Sequence, residues 1–164
     1  MRTLELHGLL IATAITGLAS CASSPSKARN DISEAITACS SAPHCVSSEN
    51  AADSARRVEP FKYSGSREQA HAALRDALRS EDNAHIESDV IPVVRATFRS
   101  TLGFVDDVTF VFRDDAKLID VKSTSRIGYY DFGVNKRRVE RLREQFSSSV
   151  AKTGALSGNG LGQR

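Results

Sequence analysis

Alternating apolar and polar positions between residues 84 and 125 predict an antiparallel β-sheet. Strands are expected over 84–88 and 93–100, with Pro92 in the turn or at a strand start because proline cannot donate a ladder hydrogen bond. A clearer hairpin follows, with its turn at residues 114–117. The inward-facing positions of this hairpin are Val108, Phe110, Phe112, Ile119 and Val121. The pattern therefore predicts about four strands with one buried face.

Apolar residues at helical spacing predict one helix before this sheet and one after it. Ser66 and Gln69 form a capping-box pattern at the start of the first helix. Asn135 is the expected N-cap of the last helix, with Val134 and Val139 as a hydrophobic staple. The predicted buried faces are Ala70, Ala73, Leu74, Ala77 and Leu78 in the first helix, and Val139, Leu142, Phe146 and Val150 in the last.

These elements predict an α+β fold in which an antiparallel sheet of about four strands packs against two helices. We assign residues 39–150 to this single domain. Residues 21–38 are expected to form a flexible, disordered tether because their first part is polar and poor in apolar residues, and residues 151–164 are expected to form a disordered, glycine-rich tail.

The N-terminal residues 1–20 have the pattern of a lipoprotein signal peptide. A short apolar run ends in Leu18-Ala19-Ser20-Cys21, which looks like a bacterial lipobox in which Cys21 is acylated. The run is too short to span a bilayer as a helix, so lipid on Cys21 is the predicted membrane anchor. Ala22 follows the cysteine, which by resemblance to Gram-negative lipoproteins favours the outer membrane, with the domain facing the periplasm.

Cys39 and Cys45 remain for a second role. In the oxidising envelope such a pair is usually a disulfide, which is our prediction. The alternative is a metal site in which His44 joins the two thiolates.

Side chains along a β-strand point alternately to its two faces, a rule that we call strand parity. It predicts a polar cluster at one end of the sheet. Any antiparallel pairing that places Phe110 opposite Ile119 or Val121 also places Asp106 opposite Ser123 or Ser125. The chain then leads directly to the start of the last helix. The predicted cluster consists of Asp106, Ser123, Ser125, Arg126, Asp131, Asn135 and Arg138, with Arg126 as its hub.

The first turn of the last helix carries three consecutive bases, residues 136–138, which are unfavourable at the positive end of a helix. Two interpretations follow. Either Asp106, Asp107 and Asp131 pair with the bases in a structural network, or a small anion binds at the helix start.

Three segments resemble the bacterial and chloroplast domain of unknown function numbered 1499: residues 43–48 (PHCVSS), 103–108 (GFVDDV) and 123–138 (STSRIGYYDFGVNKRR). The chain departs from the family pattern at His44, where asparagine is usual. The resemblance covers about residues 39–146 and implies no activity, cofactor or substrate. It does imply a lipid-anchored location, because many members look like lipoproteins or carry membrane segments.

A formal net charge of +2 gives no basis for nucleic-acid binding, and the sequence predicts no cofactor or metal. We expect a non-enzymatic envelope module whose polar cluster is structural or binds a small anion. One alternative is a hydrolytic or other enzyme that uses Ser123, Ser125 or Asp106, although no serine lies in a nucleophile-elbow pattern. Another is a scaffold whose exposed sheet edge binds an envelope protein.

Overall fold

The computed structural model describes Ile36, Cys39 and residues 43–49 and 54–158. The predicted signal peptide, Cys21, all of the predicted tether except Ile36, and the last six residues lie outside this part of the chain. The elements are β1 (Cys45–Ser47), β2 (Phe61–Lys62), α1 (Arg67–Arg79), β3 (Ala84–Val90), β4 (Val93–Arg99), β5 (Val105–Arg113), β6 (Leu118–Ser125) and α2 (Val134–Gly158).

The strands form one antiparallel sheet in the order β1-β6-β5-β4-β3, and β2 also pairs with β6. The predicted α+β class is therefore confirmed, and the four expected strands are β3 to β6. The sequence pattern missed β1 and β2, which have three and two residues and are too short to show an alternation. Both lie beside β6 and extend the sheet beyond the predicted hairpin.

One face of the sheet packs against both helices and contains the core. Phe110 lies opposite Val121 on β6, which is one of the two registers that parity allowed. Phe61 from β2 packs between sheet and helix, with ring centroids 5.7 Å from Phe110 and 5.4 Å from Phe146. All three rings are fully buried, so this aromatic contact joins α2 to the centre of the sheet.

Helix α1 begins as predicted. The Gln69 N–H donates to the Ser66 hydroxyl at 3.2 Å, and the Gln69 side chain accepts from the Ser66 N–H at 3.0 Å. This reciprocal capping box satisfies two donors that the helix itself leaves without partners. The five predicted apolar positions of α1 are all buried.

Helix α2 differs from the prediction at both ends. It begins at Val134, and the carbonyl of Gly133 accepts the Arg137 N–H, so Asn135 lies inside the first turn and is not the N-cap. Val134 is exposed, so the predicted staple with Val139 is absent. The helix also continues through residues 151–158, which had been assigned to the tail. Propagating a formed helix costs little, and a glycine costs only about 1 kcal/mol.

No helix in the described part of the chain is both long enough and apolar enough to cross a bilayer.

Hydrogen bonds to the Glu81 carboxylate connect α2 to the segment between α1 and β3. Arg141 donates to both carboxylate oxygens of Glu81 at 2.7 Å, and Gln145 donates to the same carboxylate at 2.9 Å. Arg141 is the main cause of a lowered pKa for Glu81, outweighing a burial effect that acts in the opposite direction. The ionised carboxylate is therefore the form that the fold stabilises.

We expect Glu81→Gln to lower the free energy of unfolding at pH 7 by about 1–2 kcal/mol, a modest loss because the guanidinium is half exposed. A lowered folded pKa stabilises the native state fully above the ordinary value of 4.5, and that stabilisation is lost as the pH falls through the folded pKa. Urea unfolding of both proteins from pH 7 to pH 3 should give a stability difference that is constant above pH 4.5 and shrinks below it. A difference that does not shrink as the pH falls from 4.5 to 3 would contradict this role of Glu81.

Candidate functional site

Strands β5 and β6 bring three polar side chains to one end of the core-facing surface. Asp106 pairs with Ser125, and Ser123 pairs with Val108 two positions further along the ladder. Asp106 and Ser123 are buried, and Ser123 has no exposed surface. The predicted juxtaposition of Asp106 with the two serines is therefore present.

Helix α2 adds Asn135 and Arg138, which lie three residues apart and so on one face of the helix. Arg138 is buried and forms a salt bridge with the Asp106 carboxylate. Its Nη1 donates to Asn135 Oδ1 at 2.6 Å and lies 3.2 Å from Ser123 Oγ. The guanidinium also lies over the Phe98 ring, 4.7 Å from the centroid. The positive charge of Arg138 is thus paired with Asp106, while the planar face of its guanidinium packs on an aromatic ring.

Within the cluster, Asn135 forms hydrogen bonds to the largest number of chain segments. Its side-chain nitrogen lies within hydrogen-bond distance of the Asp131 carboxylate (2.8 Å), the His44 carbonyl (3.0 Å) and Ser125 Oγ (3.0 Å). Its side-chain oxygen accepts from Ser123 Oγ at 2.5 Å. One fully buried amide therefore joins β6, the loop before α2 and the chain leading into β1.

Asp131 provides the anionic partner that the basic first turn of α2 requires. Its carboxylate accepts the backbone N–H groups of Gly133 and Asn135, each at 2.9 Å. Burial raises the pKa of Asp131, but the hydrogen bonds from Asn135 and Gly133 outweigh it and the net pKa is lowered. The carboxylate thus stays ionised at the positive end of the helix, where a negative charge is stabilising.

Arg126 does not belong to this cluster, and its predicted role as the hub is wrong. It is 53% exposed and binds Asp107 through Nε and Nη2, at 2.9 and 2.8 Å. The reason is strand parity: Arg126 follows Ser125 by one position, so it lies on the opposite face of the sheet from Ser125 and Asp106. Arg138 occupies the position that had been assigned to Arg126.

The resulting buried network consists of Asp106, Ser123, Ser125, Asp131, Asn135 and Arg138. Its charged groups are already paired, and its one arginine directs donors at internal acceptors. The Ser123 hydroxyl donates to Asn135 and is inaccessible, which is unsuited to nucleophilic attack. The described residues contain no group of three or more His, Cys, Asp or Glu side chains placed to bind a metal.

The disulfide between Cys39 and Cys45 is confirmed, with a Cα–Cα distance of 5.7 Å. The alternative metal site at these cysteines does not hold, because both sulfurs are used in the bond. His44 contributes through its backbone: its carbonyl accepts from the Ser125 N–H at 3.2 Å and from the side chain of Asn135. The disulfide loop is therefore attached to the buried network.

We expect Cys39→Ser to lower the free energy of unfolding by about 2 kcal/mol, because a loop closed over only six positions removes little entropy from the unfolded chain. Urea unfolding of the variant and wild type without reductant gives the difference. Peptide mass mapping of the non-reduced wild type should recover residues 39 and 45 cross-linked. Free thiols at both positions in protein purified without reductant would contradict the assignment.

Sequence reasoning missed a group of exposed apolar side chains at the end of the sheet where the network lies. The apolar tip, as we call it, consists of Leu102, Phe104, Ile127, Tyr129, Tyr130 and Phe132, which are 50–84% exposed. These residues lie in the loop between β4 and β5 and in the loop between β6 and α2. The signal in the sequence was the presence of large apolar residues in glycine-containing segments without strand or helix periodicity.

Comparison with known families matches residues 35–146 to the family described as protein of unknown function, DUF1499. The match includes the whole sheet, α1, the buried network and the apolar tip. Curated proteins and solved structures give no significant match. Because the family model covers more than half of the sequence and includes each segment on which the resemblance was recognised, the chain belongs to the DUF1499 family.

Proposed function

We propose that this chain is a lipid-anchored, non-enzymatic module of the bacterial cell envelope, in which the buried network is structural. The observation that carries the proposal is the closure of the network around Arg138. This guanidinium is buried and pairs with Asp106, Asn135 and Ser123, which all belong to the protein itself.

The alternatives that need an open site have less support. An enzyme using Ser123 requires an accessible hydroxyl and a nearby base, whereas this hydroxyl is buried and donates to an amide. Acid–base chemistry by Asp106 requires a carboxylate free to exchange protons, whereas this one is paired with Arg138. Binding of a small anion inside the cluster requires an accessible cation there, and Arg138, the arginine of the cluster, is neither exposed nor unpaired.

The envelope location is supported by two independent features. The segment Leu18-Ala19-Ser20-Cys21 has the lipobox pattern. The Cys39–Cys45 disulfide is typical of proteins in oxidising compartments such as the periplasm. We propose the outer membrane because Ala22, and no acidic residue, follows the cysteine.

We expect Cys21→Ser to abolish acylation and to lower the share of the protein in the membrane fraction. Labelling of cells with radioactive palmitate, followed by fractionation, measures both effects. Cys39→Ser is the matched control, since it also removes one cysteine but leaves the lipobox intact. Palmitate incorporation that is unchanged in Cys21→Ser would refute lipid anchoring through this residue.

A further inference from the structure

The apolar tip is formed by two loops that meet at one end of the sheet. Arg99 pairs with Val105 at the end of β4, and the Arg126 N–H donates to the Val105 carbonyl at 3.0 Å. The loop at 100–104 and the loop at 126–133 therefore leave the sheet side by side. Together they place six large apolar side chains in solvent, an arrangement that is unusual unless the surface has a partner.

The longer loop is held in one conformation. Phe132 has a positive φ of 52°, which is rare for a bulky residue. Its carbonyl accepts from Arg137 at 2.9 Å, and the adjacent Asp131 is bound to the backbone of α2. The rings of Tyr130 and Phe132 make an edge contact with centroids 5.2 Å apart. The buried network thus fixes the base of a loop whose aromatic side chains remain exposed.

Basic residues surround the tip. Arg99, Arg126, Lys136 and Arg137 are exposed at this end of the domain. Among the acids at this end, Asp107 is paired with Arg126, Glu87 lies close enough to raise the pKa of Arg126 further, and Asp131 is directed at the start of α2. With Arg99, Lys136 and Arg137 also exposed, the rim carries a small excess of positive charge, which complements the anionic surface of a membrane.

The N-terminal part of the chain joins the domain at this same end. Cys39 is bonded to Cys45, which pairs with Thr124 near the end of β6. His44 Nδ1 lies 3.4 Å from the carbonyl of Tyr129 in the longer loop. Residues 22–38 separate Cys21 from Cys39, and an extended chain of this length reaches at most about 60 Å. An anchor on Cys21 would therefore pull the domain towards the bilayer by its tip end.

We infer that the apolar tip docks into the headgroup region of the bilayer that holds the anchor, with the basic rim on anionic lipid headgroups. The inference rests on the proposed lipid anchor. Tyrosine is enriched at membrane–water interfaces because its ring is apolar and its hydroxyl is polar, and the tip carries two tyrosines among its apolar residues. The tip adds a second contact to the lipid anchor and orients the domain on the surface.

The chain contains no tryptophan, so a single introduced tryptophan reports its own environment. We would compare Phe132→Trp with Val90→Trp, each combined with Cys21→Ser in the full chain. Val90 is the matched control because it is also highly exposed and apolar but lies beside the turn at the opposite end of the sheet. The probe is a vesicle of phosphatidylethanolamine and phosphatidylglycerol, with and without brominated acyl chains that quench tryptophan.

We expect vesicles to shift the emission of Phe132→Trp to shorter wavelength and brominated lipid to quench it, with little effect on Val90→Trp. Removing phosphatidylglycerol should weaken the shift. Equal responses of the two variants would overturn the inference, because any binding would then be due to the shared N-terminus. Crosslinking of the tip to an envelope protein without a lipid response would also overturn it. Because both proteins carry Cys21→Ser, the outcome is independent of whether Cys21 is acylated in cells.

Discussion

Arg138→Ala is expected to lower the free energy of unfolding by about 3–5 kcal/mol, the range for removing one partner of a buried ion pair. The substitution leaves the Asp106 carboxylate buried without its cation. It also removes the hydrogen bonds that Arg138 donates to Ser123 and Asn135, and the contact of the guanidinium with the Phe98 ring. Urea unfolding followed by circular dichroism measures the loss.

Arg126→Ala is the matched control for this experiment. Both arginines pair with one of two adjacent aspartates, but Arg126 and Asp107 are about half exposed, whereas Arg138 and Asp106 are buried. Exposed pairs contribute little to stability, so Arg126→Ala should unfold at nearly the wild-type urea concentration. Equal losses of unfolding free energy in the two variants would show that burial does not determine how much the network contributes to stability.

Asn135→Ala should cost about 2–3 kcal/mol, because several buried polar groups lose a hydrogen-bond partner at once. Among them are the His44 carbonyl and the Ser123 hydroxyl. The change also releases Asp131 from the side chain that helps to position it. We therefore expect a local effect in addition to the global one: the loop before α2 should open more often than the rest of the domain.

Chymotrypsin provides the local measurement, because Tyr129, Tyr130 and Phe132 are exposed cleavage positions in that loop. Cleavage there should be faster in Asn135→Ala than global unfolding alone explains. Lys136→Ala, the neighbouring exposed position, serves as control and should be cleaved at the wild-type rate. Cleavage that rises only in proportion to global unfolding would mean that Asn135 stabilises the domain without holding the loop.

The sequence carried most of the information on the sheet, because side-chain alternation is a direct consequence of strand geometry. The same rule that placed Asp106 with Ser123 and Ser125 gives the correct register of β5 and β6. Applied one residue further, it would also have placed Arg126 with Asp107, as observed. The alternation therefore excludes Arg126 from the buried face, which is why its predicted role as the hub is wrong.

The start of α2 and the pairing of β1 could not be predicted from the local sequence pattern. The start of α2 depends on Asp131, whose carboxylate acts from three residues before the helix, so Asn135 could turn inward and enter the network. The pairing of β1 with β6 joins residues almost eighty positions apart and has no periodic signal in three residues. Tertiary contacts determine such features, and propensity does not reveal them.

Because Asn135 binds a backbone carbonyl at position 44, the exposed rim near this residue can change during evolution. The atom of His44 that Asn135 binds is the main-chain oxygen, which every amino acid possesses. Mutation at position 44 is therefore free to alter the chemistry of the exposed rim without disturbing the interior. Position 135 has no such freedom, because its amide supplies both a donor and an acceptor from one side chain. Divergence within the family should accordingly accumulate at the rim while the interior beneath it stays the same.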